Sequence, residues 1–306
     1  MRGRRYGRGG GDEGRRVAEE GSLSAGPASH GGRSFLLLGP GAWALTPEVE
    51  ARVREAFSDH EVVELDPDRD VREQAGDAAR VVVAGGDGTL GRVLPALAGT
   101  RVHVGLLPVG TYNNFARALG IPDDLDRAIQ VVRTGRPRAI KLGRVNGVPF
   151  LELAAAGLFG ELIALAEAAK DLAFGELGEQ LQHLAEAREF RYELSGDLEM
   201  AGVARSLVFS NTPTTGAHVP VGDATPDDPY LELALSMTTT GGMLGQIGAG
   251  LTHQPNPAAA DSNLHFRRLS VQTDPPVPVY ADALEVGRTP VTVEVDPGAL
   301  TVIEPA

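Results

Sequence analysis

Val81-Val-Val-Ala-Gly-Gly-Asp-Gly-Thr-Leu90 sets four small or branched apolar residues directly against a glycine cluster that holds one carboxylate. The run Val81–Ala84 reads as a buried strand, and apolar residues recurring at Leu90, Val93, Leu94 and Leu97 read as one face of a helix. Glycines at 85, 86 and 88 remove Cβ atoms, so backbone N–H groups can approach an anion closely, and the helix adds the positive end of its dipole. Asp87 is unexpected there, because a carboxylate repels phosphate unless a hydrated divalent cation lies between them. Thr89 is placed to cap the helix or to bind phosphate. Taken alone, this junction is either a tight turn or a phosphate cradle.

The same alternation extends to both sides. Phe35–Leu38 is a short apolar strand, followed after Thr46, an N-cap candidate, by a helical stretch with Val49, Val53 and Phe57 on one side. Glu61–Leu65 is a second strand candidate, Val71–Arg80 a weaker polar helix, and Val102–Leu107 a further strand. Strand and helix in regular alternation predict an α/β fold with a parallel sheet, whose ligands lie where strands lead into helices. After Pro137 the strand candidates shorten: Ala139–Val145, Phe190–Leu194, Ser206–Ser210, Leu231–Met237, Leu269–Thr273 and Val291–Val295, with a helical interlude near Leu162–Arg188. That pattern predicts a mostly antiparallel β-sandwich. The expected organisation is a tail over residues 1–34, an α/β nucleotide-binding domain over 35–137 and a β-sandwich domain over 138–306, with a last strand able to return to the first domain.

The composition bounds the partners. The 306 residues are 42% hydrophobic and 23% charged, carry a net charge of −13 and contain no cysteine. Disulfides and thiolate chemistry are thereby excluded, and a cytoplasmic protein is expected. No apolar run reaches the length needed to span a bilayer, and no charged-then-apolar leader opens the chain. Seven arginines face four acids within residues 1–34, a local balance of +3 that leaves −16 for the remainder. So acidic a body argues against nucleic acid as a partner, because phosphate neutralisation needs clustered cations. The interrupted basic tail is expected to be disordered or to come from a start assigned too far upstream, with an arm that touches anionic lipid as the alternative.

A second segment decides between turn and cradle. Leu106-Leu-Pro-Val-Gly-Thr-Tyr-Asn-Asn-Phe-Ala-Arg-Ala-Leu-Gly-Ile-Pro122 again runs from an apolar strand through a glycine turn into a helix, with Thr111 as cap and Asn113 and Asn114 in the first turn. Two such junctions at neighbouring strands aim two helix N-termini at one cleft, an arrangement suited to a nucleotide triphosphate.

Gly85-Gly-Asp-Gly-Thr89 together with Leu107–Pro122 resembles the diacylglycerol kinase catalytic family, which includes bacterial lipid kinases and sphingosine kinases. The resemblance extends more weakly through Ile140–Gly147, Ser210-Asn211, Asp227-Asp228 and Thr289–Pro305. It implies an α/β domain plus a β-sandwich with ATP between them, and transfer of the γ-phosphoryl group to a lipid hydroxyl, diacylglycerol-like or sphingoid, at a membrane surface. Gly85, Gly86, Gly88 and Thr89 would hold phosphates, Asp87 would hold Mg2+ through water, and Gly110, Thr111 and Asn113 would complete the nucleotide site. A structural magnesium would lie at Asp227-Asp228, with Asp228 its ligand. Asp282 and Glu285 are the candidate catalytic carboxylates.

The departures from the family pattern cluster on charge. Gly91-Arg92 stand where the family has Asn-Glu, Asn114 where it has aspartate, Lys141 where an aspartate of the metal network is expected, and Leu284 where Asp-Gly-Glu ends. All four remove acid. The alternative expectation is therefore a nucleotide-binding or regulatory protein with an impaired site on the same fold. The seven histidines show no metal-ligand spacing, His103 reads as structural, Trp43 as packing near the cleft or in the core, and an exposed strand of the β region offers a route to a homodimer.

Overall fold

A computed structural model describes residues 33–39, 44–66, 68–75, 78–168, 189–239, 241–242 and 264–306. Trp43, the tail before residue 33 and most of the expected helical interlude, residues 169–188, lie outside the described residues.

The first half alternates β1 (Ser34–Leu38), α1 (Pro47–Ala56), β2 (Glu61–Glu64), α2 (Val71–Ala75), β3 (Arg80–Gly85), α3 (Asp87–Leu97), β4 (His103–Pro108), α4 (Asn114–Ala118) and α5 (Leu125–Thr134). Strands β2-β1-β3-β4 lie side by side and pair in parallel. Val81, Val82, Val83 and Ala84 are fully buried, as a parallel strand covered on both faces requires. Thr46 caps α1 by accepting the Val49 N–H at 3.3 Å, and Val53 and Phe57 enter the core. Leu90, Val93, Leu94 and Leu97 of α3 are buried, as the helical period predicts.

The second half contains β5 (Arg136–Val145), β6 (Val148–Phe150), β7 (Leu153–Gly157), α6 (Leu158–Ala168), β8 (Phe190–Gly196), β9 (Met200–Ala204), β10 (Ser206–Ser210), β11 (Thr214–Thr215), β12 (Val219–Pro220) and β13 (Leu231–Ser236). It ends with β14 (Leu264–Phe266), β15 (Arg268–Asp274), β16 (Pro278–Ala281), β17 (Leu284–Arg288) and β18 (Val291–Glu304). Among the described residues, six of these strands form a second sheet in the order β14-β13-β10-β7-β16-β17. Buried side chains from both sheets, among them Phe150, Phe190, Leu207, Phe209, Leu233, Leu269 and Val293, form one apolar layer, so the sheets pack as a sandwich. Strand β18 pairs antiparallel with β5 and β15 and, through Thr301 and Val302, parallel with β4. The α/β fold with a parallel nucleotide-type sheet and an antiparallel β region is therefore the fold observed.

Several elements differ from the expectation. The helix after Leu107–Val109 starts at Asn114, and Thr111 does not cap it. Thr89 does not cap α3 either: the cap is Gly86, and Thr89 lies one turn in. Helix α5, capped by Asp124 through the Arg127 N–H at 2.9 Å, was not anticipated, and neither was β7, whose Leu-Ala-Ala-Ala-Gly sequence favours helix intrinsically. Burial between β10 and β16 overrides that propensity.

Candidate functional site

The two glycine junctions meet. A Cβ on Gly86 would lie 2.7 Å from the Gly110 Cα, and one on Gly110 would lie 2.8 Å from Asn113 Oδ1. Glycine is thus required at both positions so that the loop after β3 can rest on the loop after β4. Gly88 differs, because nothing lies within 4 Å of where its Cβ would be. Open space therefore faces the first turn of α3, whose N-cap Gly86 makes no side-chain capping bond and leaves the first N–H groups to an outside partner. The Thr89 side chain packs against Gly85 and Gly39, at the ends of β3 and β1.

Asn113 adopts a left-handed conformation, with φ of 53°, and turns its side chain back on its own loop. Its Oδ1 accepts the Gly110 N–H at 2.9 Å, and its Nδ2 donates to the Gly110 carbonyl at 3.2 Å. Asn113 is buried and braces the second loop, whereas Thr111 is exposed beside it. Asn114 bridges to the β region: its Nδ2 donates to the Gly216 carbonyl at 2.9 Å, and its Oδ1 accepts the Thr214 hydroxyl at 3.0 Å and lies 3.1 Å from His218 Nδ1.

Asp87 links the two helices. Its Oδ2 accepts the Asn114 N–H at 3.1 Å and its Oδ1 the Phe115 N–H at 3.2 Å, so the first residue of α3 caps α4 from across the junction. The Asp87 carboxylate also lies close to Glu152, a buried acid on the segment between β6 and β7. The Thr215 hydroxyl donates to Glu152 Oε2 at 2.6 Å. Two buried carboxyl groups placed near each other disfavour ionisation of both at once. Burial, together with the charges of Asp87 and Asp282, pushes the Glu152 pKa well above its ordinary value. Burial raises Asp87 as well, outweighing the amides of Phe115 and Asn114 that lower it. Glu152, the more strongly raised of the two, is the more readily protonated.

Asp282 sits at the turn between β16 and β17 with φ of 51°, a conformation that aspartate tolerates better than most residues. Its Oδ1 accepts the N–H groups of Glu152 at 2.9 Å and Leu153 at 3.2 Å, and its Oδ2 accepts that of Leu151 at 3.0 Å. The residue is partly exposed as a whole, but its carboxylate is desolvated, and burial raises its pKa against the pull of the three amides. The structure thus gathers Asp87, Glu152 and Asp282. Glu285 stands apart, exposed on β17 opposite Tyr280, and Leu284 is exposed at the hairpin end.

Asp228, the expected ligand of a structural ion, spends its Oδ2 on the Thr225 N–H at 2.7 Å and the Thr225 hydroxyl at 3.0 Å. Among the described residues, no three His, Asp or Glu side chains converge so as to cage a metal. The surroundings of Asp228 hold two cationic side chains, Lys141 and Arg138, and do not fit a divalent ion. The Asp87–Glu152 pair does fit one held through water, because two buried acids lie close together there and magnesium keeps several waters.

Glu152, Thr215 and His218 were not singled out in the sequence. Glu152 had a signal: it is the lone charged residue in Val148–Gly160, an otherwise apolar and glycine-rich run, and such a charge must find a buried partner.

Comparison with known proteins gives the family. Residues 40–145 match the diacylglycerol kinase catalytic domain. A protein of Pseudomonas savastanoi pv. phaseolicola named "Probable lipid kinase YegS-like" is 32% identical over 222 residues, which are 66% of this chain and 71% of that protein. An uncharacterised Synechocystis protein is 28% identical over 74% of this chain, which spans about half (54%) of that relative's length. A crystal structure of a diacylglycerol kinase from Bacillus anthracis superposes with a TM-score of 0.68 at 21% identity, covering 89% of this chain and 97% of that one. The chain belongs to the diacylglycerol kinase catalytic-domain family. Among the described residues, no helix is long and apolar enough to cross a membrane.

Proposed function

We propose that this protein is an ATP-dependent lipid kinase that transfers the γ-phosphoryl group to a lipid hydroxyl. The observation that carries the reading is the open space at Gly88, faced by an uncapped helix N-terminus and bounded by the Asp87–Glu152 acid pair. The first-turn amides of α3 and the exposed Thr111 hydroxyl bind phosphate oxygens, while Gly85, Gly86 and Gly110 keep the two loops close enough to share one nucleotide. Asn113 supports this site by bracing the Gly110 turn. A magnesium ion held through water by Asp87 and Glu152 would neutralise charge on the transferring phosphoryl group. Proton acceptance from the lipid hydroxyl falls to the Asp87–Glu152 pair, whose raised pKa values bring it toward neutral pH, where a general base is effective. Asp282 fixes the segment that carries Glu152. The protein works in the cytoplasm and meets its substrate at the membrane surface.

A second reading, nucleotide binding without transfer, is favoured by Asp282, whose carboxylate is committed to three backbone amides, and by the exposure of Glu285 on β17. One experiment separates the two. ATP consumption is measured with magnesium against mixed vesicles containing diacylglycerol, sphingosine or ceramide, with Glu152→Gln run alongside. Turnover on one lipid that falls at least ~100-fold in Glu152→Gln supports the kinase and its acid pair. ATP binding without turnover on any acceptor supports the second reading.

A further inference from the structure

Lys141 is one of two lysines in the chain and is buried, 3% exposed, in the middle of β5. A lysine is almost never buried without a partner that justifies its charge. Its surroundings follow from a local break in the sheet. The pairing of β5 with β18 shifts register between Asp296 and Leu300, opposite residue 141. The Lys141 N–H is thereby released from the ladder and donates to the Pro226 carbonyl at 3.0 Å. The side chain runs to the same turn, where Nζ donates to the Thr225 carbonyl. That carbonyl also accepts the Asp228 N–H at 3.0 Å, so the ammonium lies at the centre of the Thr225–Asp228 turn. Arg138, three residues earlier on β5, closes the other side: its Nη1 lies 3.1 Å from Asp227 Oδ2 and 3.3 Å from Glu304 Oε2.

We propose that the Lys141 ammonium is the resident cation of the Asp227-Asp228 turn, so that this part of the β region is held together without a divalent ion. The resemblance to the family implies a magnesium at this turn, together with an aspartate at position 141. Here that aspartate is replaced by a side chain carrying its own positive charge, which occupies a carbonyl acceptor of the turn. Loss of acid at 141 and loss of the ion are then one change: the pair of an acid and a divalent cation is exchanged for one tethered monocation. Burial pulls the Lys141 pKa down to about 8 against the opposing charges of Asp228 and Asp227, so the group is still largely cationic at neutral pH. Lysine suits the task because it presents a compact charge on a long stem.

The test reads stability, not activity, so its failure is distinct from any failure of the kinase assignment. Wild-type protein, free of nucleotide, is melted at pH 7 before and after exhaustive dialysis against EDTA, and again with millimolar Mg2+. The melting temperature is expected to stay the same within ~1 °C in all three conditions. Lys141→Met is expected to lower it by roughly 5–10 °C through uncompensated acids, and the added change Asp228→Asn to recover part of that loss. Lys141→Asp, which restores an acid, is expected to melt higher in Mg2+ than in EDTA. A wild-type melting temperature that falls on chelation, with the effect gone in Asp228→Asn, would overturn the proposal. So would a Lys141→Met protein as stable as wild type.

Discussion

Asp87 Oδ2 accepts the backbone N–H of Asn114 at 3.1 Å, 27 positions further along the chain. The carboxylate of the first glycine junction is therefore the cap of the helix that follows the second. The two glycine junctions cannot be repositioned independently, and Asp87 carries structural weight whatever chemistry it performs.

Replacing Asp87 tests both roles at once. Asp87→Ala is expected to cost about 1–3 kcal/mol, from two lost backbone acceptor bonds to a charged group, and to abolish turnover. Asp87→Asn keeps one acceptor oxygen and should recover much of the stability without the activity. Urea denaturation beside the vesicle assay separates these effects.

Glu152 gives a pH signature. Its folded pKa lies above the unfolded value of 4.5, so the native state holds a proton that the unfolded chain releases. Its contribution to stability is fully present below about pH 4.5 and is lost as pH rises through the folded pKa. Glu152→Gln mimics the protonated form, so it should be more stable than wild type at pH 8 and nearly equal to it at pH 4. Thermal melts at the two pH values check the sign, and the opposite order would overturn the raised Glu152 pKa.

The hairpin acids are expected to separate cleanly. Asp282→Ala strands three backbone N–H groups and forces alanine into a left-handed turn, which should cost about 3 kcal/mol or more. Asp282→Asn tolerates the turn and keeps one acceptor, at a cost of about 1 kcal/mol. Glu285→Gln should change neither stability nor turnover by more than about twofold, as for a surface substitution away from the site. A large loss of turnover in Glu285→Gln would return the catalytic role to the hairpin.

The glycines offer a steric contrast. Gly110→Ala places a methyl group against Gly86 and Asn113, so the loops must part, and both melting temperature and ATP affinity should fall. Gly88→Ala meets no atom within 4 Å. It should melt like wild type and still lose affinity, because the methyl group enters the space assigned to phosphate. Titration calorimetry on the two variants distinguishes a used space from an idle one.

The elements legible in the sequence were those whose burial pattern matches their intrinsic preference. Val81–Ala84 and the Leu90–Leu97 face needed no tertiary information, and neither did the two glycine junctions. Leu153–Gly157 was illegible because alanine prefers helix and only the strands on either side make it β. In the site, Asp87, Gly86 and Gly110 were legible from spacing. Their contacts were not: that Asn113 braces its own loop, or that Asp282 turns its carboxylate onto backbone amides, depends on a left-handed φ at each residue. Glu152 was hidden because its partner acids lie 65 residues before and 130 residues after it, and single-sequence periodicity carries no information about such distances.

Strand β18 lies beside β4 through Thr301 and Val302, in the last six residues. The parallel sheet that carries both glycine loops is thus bordered by a strand from far along the chain, with Thr301 beside His103. Everything from β1 to β4 can collapse early, but one edge of that sheet stays open, with its backbone groups unpaired, until residues 301 and 302 have been made. A nascent chain arrested before residue 300 therefore exposes a strand edge suited to pairing with another chain.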